Sequence, residues 1–217
     1  MLRIEFPLSD EDLVFLGNQY SGYWFPEKFL AYKGTIWGVG LGHDSSFEFE
    51  LVKHGYEMHG FEPETNCFYS AKTQFFQTNA NLYNYGLWYK SGRFNYTGSN
   101  ISIVNIFDLE SKSEVKLEIK SLWQTAKELN LKKHQTPRIL KLNIEGAELE
   151  ILLRLLNEPL EFEIIIFQAE FLFHLGFKRL KKKIQAYYKL RKIISGFSKA
   201  DWELLDFQRN QITLARR

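Results

Sequence analysis

Residues 35–64 read "TIWGVGLGHDSSFEFELVKHGYEMHGFEPE". A short apolar run of strand type, "GTIWGV", leads into glycines at every second position, Gly38, Gly40 and Gly42. A helical pattern over about 45–54 follows, with Phe47, Leu51 and Val52 on one face, and "YEMHGFE" then reads as a second strand. In an open parallel sheet, ligands bind in the crevice outside the carboxyl ends of the strands, beside the first one. The glycine loop is expected there, and what it is shaped to hold is the question the rest of the chain answers.

Working outward, strands and helices keep alternating. Residues 65–80 read as a helix, and 81–118, rich in Asn, Ser, Thr and β-formers, as short strands or a loop insertion. "SLWQTAKELNL" is a helix, "ILKLNI" a strand, and a further helix runs from near Gly146 to Pro159. "FEIIIFQAEF" at 162–171 is apolar without alternation, as in the buried centre of a parallel sheet. A long helix over about Phe177–Ile194 precedes "DWELLDFQRNQITLARR", two strands around the polar turn "RN". Before the first strand, Ser9 followed by Asp10, Glu11 and Asp12 reads as a helix start ahead of "LVFLG", and "NQYSGYWFPEKF" as an aromatic loop. The expectation is one α/β domain over 1–217: a doubly wound, mostly parallel sheet closed by a C-terminal antiparallel hairpin, with residues 1–33 a helical and aromatic extension packed on it.

Composition narrows the class. At 217 residues the chain is long enough for one sizeable core, and 16% aromatic residues point to a core or cleft rich in flat rings. A net charge of +2 demands neither nucleic acid nor an anionic membrane. The single cysteine, Cys67, excludes an intramolecular disulfide and a thiolate zinc cluster and fits a reducing compartment. The opening "MLRIEFPLSDEDLVFLG" is broken by acids and does not read as a secretory signal, and no stretch approaches the ~18 apolar residues of a membrane helix. A cytoplasmic protein is expected.

The loop departs from phosphate-binding patterns. G-x-G-x-x-G fails in both registers, because its third glycine would fall on His43 or Ser45, and no Gly-Lys-Ser/Thr follows. Asp44 stands where a helix N-terminus would otherwise welcome a pyrophosphate. An acid there repels phosphate and accepts from an ammonium group or an amide. Glu62, twenty residues after Gly42, ends the second strand where an acid can take both hydroxyls of a ribose. A nucleoside without phosphate but with an ammonium group fits, and S-adenosylmethionine is the common cofactor of that description. The plainer alternative is an ordinary strand-to-helix turn with Asp44 as a cap and Glu62 solvated.

"ILKLNIEGAELEIL", residues 139–152, is the second constellation. Leu140, Leu142 and Ile144 alternate with Lys141, Asn143 and Glu145, so one face turns polar toward the carboxyl end of the strand. Asn143 and Glu145 are expected at the crevice beside the glycine loop, and Lys141 deeper, pairing with a carboxylate. Glu148 falls in the first turn of the next helix, where compensation of the helix dipole explains it.

Taken in order, "GLGHDSSFE", "GFEPE", "LKLNIEGAELEIL" and "FQRNQITLARR" resemble the FkbM family of S-adenosylmethionine-dependent methyltransferases, from about residue 34 to the end. The resemblance implies a class I methyltransferase fold with strand order 3-2-1-4-5-7-6 and methylation of a hydroxyl on a sugar, lipid-linked glycan or other small molecule. It places Gly38, Gly40, Gly42, Asp44 and Ser46 in the cofactor loop and Glu62 at the ribose. Asn143 departs from it, since the family has Asp in "K-x-D-x-EGAE"; an amide there is neither a base nor a hard metal ligand. Neither a divalent metal nor a structural zinc is expected.

A hydroxyl acceptor also needs its proton removed by a group within hydrogen-bond reach. Glu145 is the preferred base and His174 the second, with Glu170 and His43 as further candidates and Asn143 beside them in the catalytic set. Two other readings stand. The basic helix "FKRLKKKIQAYYKLRK" would suit RNA phosphates or a membrane surface, although Phe177, Leu180, Ile184, Tyr187 or Tyr188 and Ile194 give it the stripe of an ordinary amphipathic helix. Asn143 prompts the third, a cofactor-binding module without turnover. Tyr20, Tyr23 and Trp24 are candidates for the substrate entrance or for the core.

Overall fold

A computed structural model describes residues 12–96, 115–129, 137–144, 146–169, 180–208 and 211–217. The seven-stranded main sheet is built from β3 (Thr35–Val39), β4 (Glu57–Phe61), β5 (Ala80–Tyr83), β9 (Arg138–Leu142), β10 (Ile164–Gln168), β11 (Trp202–Gln208) and β12 (Gln211–Arg216). Across the sheet they run β5-β4-β3-β9-β10-β12-β11. Counted in chain order this is 3-2-1-4-5-7-6, the order that the family resemblance implies. The first five strands pair in parallel, and β12 is antiparallel to both β10 and β11. The C-terminal hairpin is therefore as expected, while its turn residues 209 and 210 lie outside the described residues. The fold is that of the class I methyltransferases.

Both faces of the sheet are covered because its central strands are apolar on both sides. On one face, Ile36, Ile139 and Ile164 pack with Phe47 and Leu51 of α1 (Ser46–Lys53) and Ala71 and Phe75 of α2 (Thr65–Gln74). On the other, Trp37, Leu140 and Ile165 meet α3 (Leu122–Glu128), α4 (Glu148–Asn157) and α5 (Leu180–Lys199) through residues such as Leu122, Leu152 and Ile193. The 81–118 insertion supplies β6 (Gly86–Trp88), β7 (Gly92–Tyr96) and, with β8 (Val115–Ser121), a small sheet in the order β6-β8-β7. Trp88 Nε1 donates to the Ala147 carbonyl at 3.3 Å, tying that sheet to the turn before α4.

Two expectations need correction. "LVFL" is not helical: β1 (Leu13–Leu16) pairs antiparallel with β2 (Tyr23–Pro26), and the helical piece of this segment is a 3-10 turn at Glu27–Ala31. Four apolar residues cannot sustain a helix alone but can bury one edge of a two-stranded ribbon. Residues 9–11, the expected helix start, lie outside the described residues. On α5 the expected stripe holds in part: Ile194 is buried and Tyr187 packs on the core, but Ile184 is 43% and Tyr188 64% exposed; Phe177 and the side chain of Leu180 lie outside what is described. The helix runs on to Lys199, and among its described side chains the buried ones, Leu190, Ile193, Ile194 and Phe197, lie in the C-terminal half. Among the described residues no helix is long and apolar enough to cross a membrane.

Candidate functional site

The glycine loop leaves the carboxyl end of β3 between the ends of β4 and β9. Gly40 has φ +76°, and a Cβ there would stand 2.1 Å from the Asn143 carbonyl oxygen, so only glycine fits. Its N–H donates to the Phe61 carbonyl at 2.9 Å, and the Asn143 N–H donates to the Val39 carbonyl at 2.9 Å, closing the loop against both neighbouring strands. Gly42, φ +56°, is the opposite case: a Cβ there would meet nothing within 4 Å. Gly38 lies within β3, and its missing side chain makes room for Glu48, whose Cγ would be 3.0 Å from a Cβ.

Glu62, one residue past β4, turns back onto this loop. Its Oε2 accepts from the Gly42 N–H at 2.9 Å and its Oε1 from the Glu64 N–H at 2.8 Å. The Leu41 N–H also faces this carboxylate and favours its charged form. Glu62 is 3% exposed. Burial pushes its pKa up; the three backbone donors oppose the shift, and the Glu64 charge adds to it. The Gly42 and Glu64 N–H groups occupy two of the roughly four lone-pair sites of the carboxylate, which leaves acceptor capacity for further donors. Asn84 Nδ2 holds the Glu62 carbonyl at 3.0 Å and fixes the backbone that carries the acid.

Asp44 and Ser46 stand together at the start of α1, and both are engaged. Asp44 Oδ1 accepts from the Ser46 N–H at 2.9 Å, and its Oδ2 accepts from Asn18 Nδ2. The Asn18 N–H donates to Ser46 Oγ at 3.0 Å. Burial works to raise the Asp44 pKa, but hydrogen bonds from Ser46, Asn18 and Ser21 overcome it and hold the carboxyl below its ordinary range. Asp44 thus caps α1 and anchors the turn between β1 and β2. Asn18, which sequence reasoning passed over, is the hinge of that contact; only its place in a polar tight turn signalled it.

The aromatic loop divides. Tyr23 is 1% exposed and packs edge-on to Phe47 at 5.1 Å, so it belongs to the core, while Tyr20 is 81% exposed. In "LKLNIEGAE", Lys141 pairs with Glu48 at 2.9 Å, an expected carboxylate partner supplied by α1. Glu148 accepts from the Ile144 N–H at 2.7 Å and the Gly146 N–H at 2.8 Å, so it latches the turn before α4 as well as facing that helix's dipole. Asn143 reaches the end of β9 with its Oδ1 buried and without a hydrogen-bond partner among the described residues. Glu145, Glu170 and His174 lie outside the described residues. His43 touches the Cys67 sulfur at 3.6 Å, on the α2 side of the loop. Among the described residues no group of three or more His, Cys, Asp or Glu is placed to hold a metal ion.

No family model matches the chain, and no curated protein matches it. Solved structures do. The ribosomal protein L11 methylase of Lactobacillus delbrueckii subsp. bulgaricus is similar at 12% identity and a TM-score of 0.42, over 88% of this chain and 74% of that one. Magnesium protoporphyrin IX methyltransferase of Synechocystis PCC 6803, solved with bound SAH, is similar at 14% identity and a TM-score of 0.41, over 88% of this chain and 77% of that one. A putative rRNA-methylase of Clostridium thermocellum is similar at 10% identity and a TM-score of 0.42, over 88% and 94%. Placement of the sheet in its class rests on its own strand order, not on these likenesses.

Proposed function

We propose that the protein is an S-adenosylmethionine-dependent methyltransferase of FkbM type that methylates a hydroxyl of a sugar, glycolipid or other small molecule. The observation that carries this is the Glu62 carboxylate bonded to the Gly42 N–H at 2.9 Å, at the carboxyl ends of the first two strands of a 3-2-1-4-5-7-6 sheet. An acid bonded to the loop suits the hydroxyls of a ribose and disfavours a phosphate in direct contact with it.

The residues present fit that cofactor. Gly40 and Gly42 give a loop with open space above Gly42, Glu62 keeps acceptor capacity for a ribose hydroxyl, and Asn143 Oδ1, without a partner among the described residues, can accept from a donor. Asp44 and Ser46 act at one remove on this reading, because Asn18 and the helix terminus already engage them. When bound, S-adenosylmethionine supplies a methyl group on a positively charged sulfur. The chain's own task is to hold an acceptor hydroxyl in line and to take its proton. Glu145 is the proposed base, with His174 the second; Asn143, an amide, orients by hydrogen bonding and takes no proton.

RNA methylation and cofactor binding without turnover are outcomes of the same test. Within the described part of the basic helix, Lys189 is bonded to Glu150 while Arg191 and Lys192 are exposed. The protein is incubated with methyl-labelled S-adenosylmethionine and, in parallel, a glycan and glycolipid fraction and total RNA. Label on a glycan or small molecule supports the proposal, and label on RNA alone overturns its acceptor class. No label on any fraction, with S-adenosylhomocysteine still bound, favours the module without turnover.

A further inference from the structure

A buried cation and two acids stand in line through the glycine loop. Lys141 lies on β9 opposite Gly38 of β3, with its side chain 2% exposed. Its ammonium pairs with Glu48 of α1, 1% exposed, at 2.9 Å and donates to the Gly40 carbonyl at 3.0 Å. The ring of Tyr23 covers it, with Nζ 5.8 Å from the ring centre. A peptide group is planar and trans, so the C=O of Gly40 and the N–H of Leu41 point in opposite directions from one rigid plate. That N–H faces Glu62 and favours its charged form, and the following N–H, of Gly42, donates to the same carboxylate at 2.9 Å. The charges alternate in order: Glu48, Lys141, the carbonyl end of the plate, its N–H end, Glu62.

We propose that Lys141 is a positioning residue for Glu62, acting through the loop backbone from the Gly40 carbonyl to the Gly42 N–H, with Glu48 and Tyr23 holding it in place. A cation at the oxygen end of a peptide dipole and an anion at its N–H end both lower the energy of one orientation, and the surrounding core excludes the water that would weaken either contact. The φ of +76° at Gly40, held where even a Cβ would run into the Asn143 carbonyl, fixes the plate's near edge; Lys141 fixes its rotation. Gly38 belongs to the same device: a side chain there would displace Glu48, so the first glycine serves the strut and the other two serve the loop. A buried ion pair is a poor source of stability compared with apolar residues of the same volume, which makes its use in orienting a functional loop the better account of it.

The inference rests on Glu62 being the ribose acid, and the experiment separates the two claims. The double substitution Glu48→Leu with Lys141→Met removes both charges at little change of volume, so the folded state is expected to melt near the wild-type temperature. In that variant the Leu41 and Gly42 amides should exchange ~10-fold faster or more than in wild type, while the Asn143 amide, bonded to Val39, keeps its rate. S-adenosylhomocysteine, measured by calorimetry, should bind ~10-fold more weakly or worse. A folded double variant with wild-type exchange at Leu41 and Gly42 overturns the strut, whatever its affinity. Changed exchange with unchanged affinity overturns the role of the strut in binding. Failure of wild type to bind S-adenosylhomocysteine removes the functional reading, and the exchange rates then decide the strut alone. Should the variant not fold, the wild type gives the answer by NMR. A coupling between Lys141 Nζ and the Gly40 carbonyl carbon, with slowly exchanging ammonium protons, supports the strut, and rapidly exchanging protons without that coupling refute it.

Discussion

Two glycines of one loop illustrate how differently single residues serve the site. Gly40 is required by contact and by backbone together, since any Cβ would run into the Asn143 carbonyl at a positive φ. Gly40→Ala should therefore lose ~2 kcal/mol or more of stability, read from urea unfolding. Gly42→Ala meets open space and bears only the left-handed backbone cost of about 1 kcal/mol. Its methyl group would intrude where the nucleoside is proposed to lie, so S-adenosylhomocysteine should bind ~10-fold more weakly by calorimetry. Loss of stability without loss of binding at Gly42 would contradict this division. The sequence carried the glycine spacing and the acid at 62, because a tight turn and a distance along a βαβ unit are local properties. It left open the partner of Lys141, which comes from a helix far away in the chain, and pointed to Asn18 as the partner of Asp44 only through its place in a polar turn.

At the scale of elements, the ribbon of β1 and β2 is held to the main sheet by a few polar contacts around a small aromatic core. Asn18 reaches Asp44 and Ser46, Gln211 Nε2 donates to the Gly22 carbonyl at 2.6 Å, and Thr213 Oγ1 donates to the Trp24 carbonyl at 3.0 Å. Asn18→Ala keeps the backbone N–H on Ser46 but removes the side-chain bond to Asp44 and those accepted from the Tyr20 and Ser21 N–H groups, and should lower stability by about 1–2 kcal/mol, with faster proteolytic cleavage near the exposed Tyr20 in a timed digestion. An unchanged digestion pattern would mean that the aromatic core and the remaining polar contacts suffice to hold the ribbon. The parallel strands were legible because strands buried on both faces are uninterrupted apolar runs. The ribbon was not, because acids ahead of a short apolar run have the same pattern as a helix start and only pairing with Tyr23–Pro26 resolves it. On α5, periodicity located the helix, but several apolar stripes were available, and contact with α4 and β11 selected the one ending in Phe197.

For the whole molecule, the depressed carboxyl of Asp44 sets an acid limit. An acid whose folded pKa lies below its unfolded value contributes stability that is complete above the unfolded value, here near 3.8, and is lost as pH falls through the folded one. Glu62 acts with the opposite sign: burial raises its pKa, so its ionisation costs stability above that pKa and the cost fades as pH falls. Asp44→Asn should therefore be less stable than wild type at pH about 5 and above, with the gap closing as pH drops below 3.8 in a series of thermal melts. A gap constant with pH would show that the hydrogen bonds, not the charge, matter there. The central claim is that the loop, Glu62 and the 3-2-1-4-5-7-6 sheet form a seat for a nucleoside without phosphate. Its most direct test is calorimetric titration of wild type and Glu62→Ala with S-adenosylhomocysteine, with NAD as the phosphate-bearing comparator. The account predicts that wild type binds S-adenosylhomocysteine and not NAD, and that Glu62→Ala binds it ~10-fold more weakly or worse. Absence of binding to wild type, tighter binding of NAD, or equal affinity in Glu62→Ala would contradict it.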